Sequence, residues 1–210
     1  MRAKTSRSEF VTANLAFVWE RGYHATGVSD YASKVGLPKG SFYNYFDSKV
    51  DFALQVVDAY TAAWESLLQR FLTDQTLSVP ERFDRFLEQQ IHDHCDTHHC
   101  VRGCLAGNLG IETANTVAPV AERIEATFAH IEQLFKTAFV QAQNDGLLVP
   151  GVSPDTAAAL LLNSLEGAFL RMKVARSRTP LQEIRTTLLP LLFGGHSVAA
   201  DAQRTTTRDS

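Results

Sequence analysis

The residues from Thr26 to Lys49, TGVSDYASKVGLPKGSFYNYFDSK, constrain the fold of this chain more than any other stretch. Val28, Tyr31, Ala32 and Val35 fall at i, i+3, i+4 and i+7, the spacing of one helical face turned to a core. Gly36 ends that helix, because a residue without Cβ takes the left-handed position after a helix at no steric cost. Pro38 stands where a new helix takes its first residue, and Phe42, Tyr43, Tyr45 and Phe46 crowd aromatic surface onto barely two turns. A helix this short is not stable alone. It has to dock on its neighbours, which leaves Lys39, Ser41, Tyr43 and Asn44 to face outward.

Helical spacing continues on both sides. Phe10, Ala13, Asn14, Phe17 and Val18 place a first helix from about Ser6 or Arg7 to Arg21, with Gly22 as its stop, so three helices occupy the first 46 residues. A fourth begins at the N-cap Ser48 and carries Phe52, Val56, Ala59, Tyr60, Ala63, Trp64, Leu67 and Leu68 to about residue 72. Pro80 opens a fifth, with Phe83, Phe86, Leu87 and Ile91 on its stripe. Residues 103 to 116 form a helix or partial helix, and Pro119 opens a long one that Gly146 stops. Ser153-Pro154 starts another, to about Arg176, and the last follows Pro180 and ends near Phe193-Gly194-Gly195. No segment alternates as a strand does. The expected class is all-α with about nine helices: a three-helix head over residues 1–48, a six-helix body over 49–195, and a mobile tail over 196–210.

Composition excludes several classes. A hydrophobic content of 45% supports a real core, yet no run approaches the 18 or more apolar residues of a membrane span, and MRAKTSRSEF has no apolar leader. No membrane association and a cytoplasmic location are therefore expected. Three cysteines without secretory context argue for free thiols or metal ligands rather than a disulfide framework. No Ser/His/Asp set, phosphate-cradling glycine loop or paired-carboxylate motif is present, so the chain is read as a non-enzyme with no cofactor. The net charge of −3 is uneven: residues 1 to 50 hold seven Lys/Arg against four acids, a local +3, and the remainder carries −6. A basic head on an acidic body fits a nucleic-acid partner.

With these residues in view, the sequence resembles the TetR family of transcriptional regulators. The likeness is densest over residues 10 to 55: Phe17, Arg21-Gly22-Tyr23, Thr26, Gly27-Val28, Ala32, Val35-Gly36, the run Lys39-Gly40-Ser41-Phe42-Tyr43-Asn44-Tyr45-Phe46, and Lys49. It implies a helix-turn-helix head that binds a double-stranded palindromic operator as a homodimer, and a body that takes a small-molecule inducer. Residue by residue, Lys39, Gly40, Ser41, Tyr43 and Asn44 match the family's groove-facing positions, and Thr26, Tyr45 and Lys49 its phosphate-contacting ones. A side chain at position 40 would hold the helix away from the bases, which accounts for Gly40. Leu37-Pro38 departs from the Ser or Thr cap of many relatives.

In the body, HDHCDTHHCVRGC over residues 92 to 104 gathers four of seven histidines and all three cysteines. His94 with His98 and Cys95 with His99 stand at i, i+4, a spacing that suits a borderline-soft metal ion, although no Cys-x-x-Cys occurs. Alternatively, Gly103-Cys104-Leu105-x-Gly107-Asn108-Leu109 is similar to a TetR subgroup that includes repressors answering to electrophiles, oxidants or acrylate-type compounds. Cys104, beside Arg102 and near a helix N-terminus, then acts as a nucleophilic sensor, or else is a small buried hydrophobe. A third reading is a reversible ligand. Cys104, Asn108 and Glu112 lie at i, i+4 and i+8 as a polar strip, and Trp64, Phe83, Phe86, Leu87 and Phe169 supply apolar walls. The apolar run Ala157 to Leu162, with Leu165, Ala168 and Phe169, suits a dimer bundle.

Overall fold

A computed structural model of the chain describes residues 6–194; the expected mobile tail, 196–210, lies outside them. Nine α-helices follow in order: α1 Arg7–Arg21, α2 Val28–Lys34, α3 Lys49–Leu72, α4 Val79–Ile91, α5 Leu105–Thr113, α6 Ala118–Asn144, α7 Pro154–Ala175, α8 Thr179–Glu183 and α9 Leu189–Leu192. A 3-10 helix spans Lys39–Asn44, and π-helical turns span His92–Thr97 and Ile184–Leu188. Among the described residues there is no strand. The second π turn joins α8 to α9, so the last helix expected from sequence is one rod with a widened turn.

The chain divides into two compact units that cut across helices. One runs to Trp64 and includes Arg102–His130; the other comprises Glu65–Val101 and residues 131 onward. The physical reason is length: α3 and α6 are 24 and 27 residues, and each contributes to both units. Spacing along the sequence shows a helix continuing but not which half packs with what.

In the first unit, α1 starts on a reciprocal cap. The Glu9 backbone N–H donates to Ser6 Oγ at 3.2 Å and the Ser6 N–H to Glu9 Oε2 at 2.6 Å, satisfying two donors that a helix start leaves open. The Ser6 N–H, with the Ser6 hydroxyl, holds the Glu9 carboxyl below its usual pKa. Phe10, Phe42, Phe46 and Phe52 are all buried, with ring centroids 5.0–5.9 Å apart, and Tyr31 meets Phe52 at 4.4 Å. Each buried aromatic stabilises by about 1.5–3 kcal/mol. This is how a six-residue 3-10 helix persists: Phe42 and Phe46 anchor it on α1 and α3. Asn14, fully buried, donates to the Phe10 and Tyr31 carbonyls at 3.0 and 3.2 Å and fixes α2 against α1.

In the second unit, Phe83 stacks on Phe139 at 4.7 Å, beside Phe135 and Phe193. Buried Arg82 is tolerated because its guanidinium donates to the carbonyls of Leu77 and Leu72 and to the side-chain oxygens of Gln141 and Gln75, at 2.9–3.2 Å. Arg185 forks onto Asp84 at 2.6 and 2.7 Å, tying α4 to the C-terminal rod. No helix among the described residues is long and apolar enough to cross a membrane.

Candidate functional site

The expected reading element folds as the 3-10 helix Lys39–Asn44. Lys39, Gly40, Tyr43 and Asn44 are exposed and Ser41 half-buried, whereas Phe42 and Phe46 point into the core. A Cβ built on Gly40 meets nothing within 4 Å, so no packing demands glycine there, and its surface is open to an incoming ligand. Pro38 takes the N-cap place without a side-chain bond, as the Leu37-Pro38 departure implies. The outward set Lys39, Gly40, Ser41, Tyr43 and Asn44 thus has the geometry of a groove reader: one short helix whose polar side chains share a face.

The expected phosphate contacts fare differently. Thr26 is buried, and its hydroxyl donates to the Gly22 carbonyl at 2.7 Å while bonding to the Tyr31 phenol. Its side chain therefore holds the turn between α1 and α2 rather than facing outward. Lys49 Nζ donates to the Tyr23 carbonyl at 2.6 Å and sits 4.1 Å from that ring's centroid. Burial lowers the Lys49 pKa, against the opposing pull of Glu112 and Asp30. Tyr45 is half-buried with its ring 5.4 Å from Phe10, so it serves partly as core.

The body strip also differs from expectation. Cys104 is a buried thiol outside any disulfide that caps α5, its Sγ accepting the Gly107 N–H at 3.3 Å and standing 3.2 Å from Tyr60 Oη. Asn108 donates to the Arg102 carbonyl at 2.8 Å. Glu112 Oε2 accepts two backbone N–H groups, from Tyr23 at 2.8 Å and His24 at 2.9 Å. The i, i+4, i+8 strip is real, but all three polar groups are bonded within the protein. Sequence reasoning missed the partner of Glu112, the backbone just after α1, and the bonds that tie α1 to the residues before α5. Trp19 Nε1 donates to the Gly103 carbonyl at 2.9 Å, Arg102 pairs with Glu20 at 3.2 Å, and His24 Nε2 lies 3.1 Å from the Glu112 carbonyl and 3.0 Å from Thr116 Oγ1. Helix α5 is therefore fastened to α1 at both ends, by Gly103 and Arg102 before it and by Glu112 near its close.

The apolar wall residues are core. In the first unit Trp64 is buried against Tyr60, at 6.3 Å between rings. In the second, Phe83, Phe86, Leu87 and Phe169 are all but inaccessible, Phe86 against Phe135 at 5.9 Å and Phe169 against the His94 ring at 4.7 Å.

The local geometry does not favour the metal alternative. Residues 92–97 wind as a π turn and the helix stops before His98, so the i, i+4 argument for His94 with His98, and Cys95 with His99, loses its common face. Cys95 is bonded to Cys100 as a disulfide, contrary to the expectation of free thiols. Among the described residues no group of three or more His, Cys, Asp or Glu side chains is arranged to hold a metal ion.

On the second unit, α7 leaves Leu160, Leu170 and Val174 exposed, and α9 leaves Leu191 exposed. Gly167, Ala168, Ile184 and Leu188 line a shallow groove of about 610 Å³ beside them. Exposed apolar side chains concentrated on one helix pair mark an interaction surface.

A short outward helix seated on an aromatic three-helix head, in an all-helical chain, defines a helix-turn-helix DNA-binding regulator. The family profile described as bacterial regulatory proteins, tetR family, matches residues 13–56, and that of the Tetracyclin repressor-like, C-terminal domain matches residues 79–188. The chain is 32% identical over 200 residues to the transcriptional regulator AcuR of Cereibacter sphaeroides, covering 93% of this chain and 87% of AcuR. It is 29% identical over 187 residues to the HTH-type transcriptional repressor DhaR of Mycobacterium sp. (strain GP1), covering 89% and 92%. The crystal structure of regulatory protein TetR from Rhodobacter sphaeroides superposes with a TM-score of 0.83 at 29% identity, covering 90% and 99%. The chain belongs to the TetR family of transcriptional regulators, and its homologues are regulators rather than enzymes.

Proposed function

We propose that this chain is a repressor that binds a two-fold-symmetric operator as a homodimer and lets go when Cys104 is modified by an electrophile of the acrylate type. The observation that carries the reading is that Cys104 caps a nine-residue helix whose two ends are bonded to the last turn of α1 and the residues just after it. Lys39, Gly40, Ser41, Tyr43 and Asn44 read base edges from the major groove. The apolar face of α7 and α9 joins the two copies, and the reading helices then enter successive grooves about 34–36 Å apart.

Addition of the thiol to the electrophile forms a bond from Sγ to the β-carbon and transfers the thiol proton to the α-carbon. The enlarged side chain does not fit where Sγ now stands, buried between Tyr60 Oη and the Gly107 N–H. The start of α5 has to move, and its bonds to Trp19, Tyr23 and His24 pass that movement to α1. Operator affinity falls by the difference in stability of the two arrangements.

Gel retardation of the DNA flanking the chain's own gene, repeated at rising salt, tests operator binding, since each neutralised phosphate releases counterions and steepens the salt slope. Cys104→Ser is expected to bind that DNA as the parent does and to stay bound in acrylate. A Cys104→Ser protein released at the same acrylate concentration as the parent would sink the covalent reading and leave the reversible one.

A further inference from the structure

We propose that Cys95 and Cys100 form a reversible dithiol–disulfide couple, closed by low-molecular-weight disulfides, that controls the dimer face independently of Cys104. The two sulfurs are bonded across a separation of five residues, with Cα atoms 4.3 Å apart. The segment they close is irregular. A π turn runs from His92 to Thr97, then His99 and Cys100 both take left-handed backbone at φ 50° and 56°, a conformation that side chains disfavour. The Cys100 N–H donates back to the His94 carbonyl at 2.7 Å, completing a tight reversal. A cross-link over so short a loop removes little unfolded-chain entropy compared with one over a long loop. Its larger effect is to hold this local backbone path.

That path is wired to one place. Asp96, inside the closed loop, pairs with Arg178 at 2.5 Å, and the Cys100 carbonyl accepts from Arg176 Nη1 at 3.5 Å. His94 lies against Phe169, 4.7 Å between ring centroids. Phe169 is on α7, and Arg176 and Arg178 form the turn that follows it, next to Val174 and Leu170 of the exposed apolar face. Opening the couple frees His99 and Cys100 from left-handed backbone, and with them the positions of Asp96 and the Cys100 carbonyl, so the end of α7 loses its fixed partners.

The chemistry balances with an external disulfide. One thiolate attacks a sulfur of the small disulfide, forming a mixed disulfide and expelling one small thiol. The second protein thiolate then attacks the protein sulfur of that mixed disulfide and expels the other. Two electrons and two protons pass from the pair of cysteines to two small thiols. A regulator whose partner is DNA works where thiols are kept reduced, and disulfides there are mostly transient or redox-sensing.

The link to the dimer rests on the function proposed above; the couple itself does not. The test equilibrates the Cys104→Ser protein with graded ratios of reduced to oxidised glutathione. Alkylation and mass spectrometry then count free thiols, and sedimentation and gel retardation follow each sample. Expected are closure and reopening of one Cys95–Cys100 bond, with a dimer dissociation constant roughly tenfold weaker in the open form, within the usual range of allosteric coupling. Cys100→Ser should behave as the open form at every ratio. Two thiols that never close, or a couple that closes with no change in dimer affinity, overturns the proposal. If neither form binds operator, the repressor reading fails, while thiol counting and sedimentation still decide the couple.

Discussion

Replacing Glu112 by alanine removes the carboxylate that joins α5 to the backbone after α1. Two N–H groups lose an acceptor, Tyr23 at 2.8 Å and His24 at 2.9 Å, both held by the single oxygen Oε2. Hydrogen bonds to a charged group contribute about 1.5–3 kcal/mol each, but the two do not count equally. His24 is exposed and water can take over its N–H, whereas Tyr23 is buried and its N–H is left short of a partner. The net loss comes to about 2–3 kcal/mol, most of it from Tyr23. For a chain of this size each kcal/mol lowers Tm by about 2–4 °C, so the melt should fall by roughly 4–12 °C. Glu112→Gln keeps a neutral acceptor and should fall about half as far. Differential scanning calorimetry gives the first readout. The second is fluorescence anisotropy of labelled operator with and without acrylate: in Glu112→Ala the Cys104 adduct should move operator affinity much less than in the parent. A variant that melts with the parent and releases operator as the parent does would refute the role given to this carboxylate.

Gly40→Leu places a side chain in open space, so its melting point should stay within the small range of surface substitutions while retardation of operator DNA is lost; retained binding would remove the 3-10 helix from the groove. The Tyr31 phenol is pushed up to about 12 by burial. A folded pKa above the unfolded value means stability that is complete below about pH 10 and lost as pH rises from there toward 12. Tyr31→Phe should flatten that alkaline loss in a denaturant titration, after correction for the lost bond to Thr26. Leu170→Arg puts a charge on the half-exposed apolar face of α7 and should yield monomer in sedimentation with unchanged helicity; a dimer of parental affinity would move the interface elsewhere.

How far the sequence could be read depended on whether periodicity decided the matter. The stripe Phe10, Asn14 and Val18, the Gly36 stop and the burial of Phe42 and Phe46 follow from helical spacing, and all appear in the structure. Gly40 and its outward neighbours were legible for the same reason. Thr26 and Lys49 were not, because a hydroxyl or an ammonium near a surface bonds inward or outward according to tertiary contacts that no spacing encodes. The Cys95–Cys100 bond was hidden behind a helical reading of 92–99. Only the π turn and the two left-handed residues bring those sulfurs together, and no residue type in HDHCDTHHC announces them.

Gly22 shows how a feature legible for one reason can exist for two. Its place after the apolar stripe of α1 marks it as a helix stop, and its backbone at φ 79° and ψ −179° is a conformation essentially reserved for glycine. A Cβ at this position would also stand 1.9 Å from Glu112 Oε1. The same absent atom therefore ends α1 and admits the carboxylate that binds the two N–H groups beyond it. Cys104, Asn108 and Glu112 share a face of α5 as their spacing requires, and that face is spent on fastening α5 rather than on lining a cavity. A group added at Cys104 thus acts on a helix already bonded to the head. In the proposed release mechanism the head answers to whatever displaces α5, and Gly22 is where that attachment becomes sterically possible.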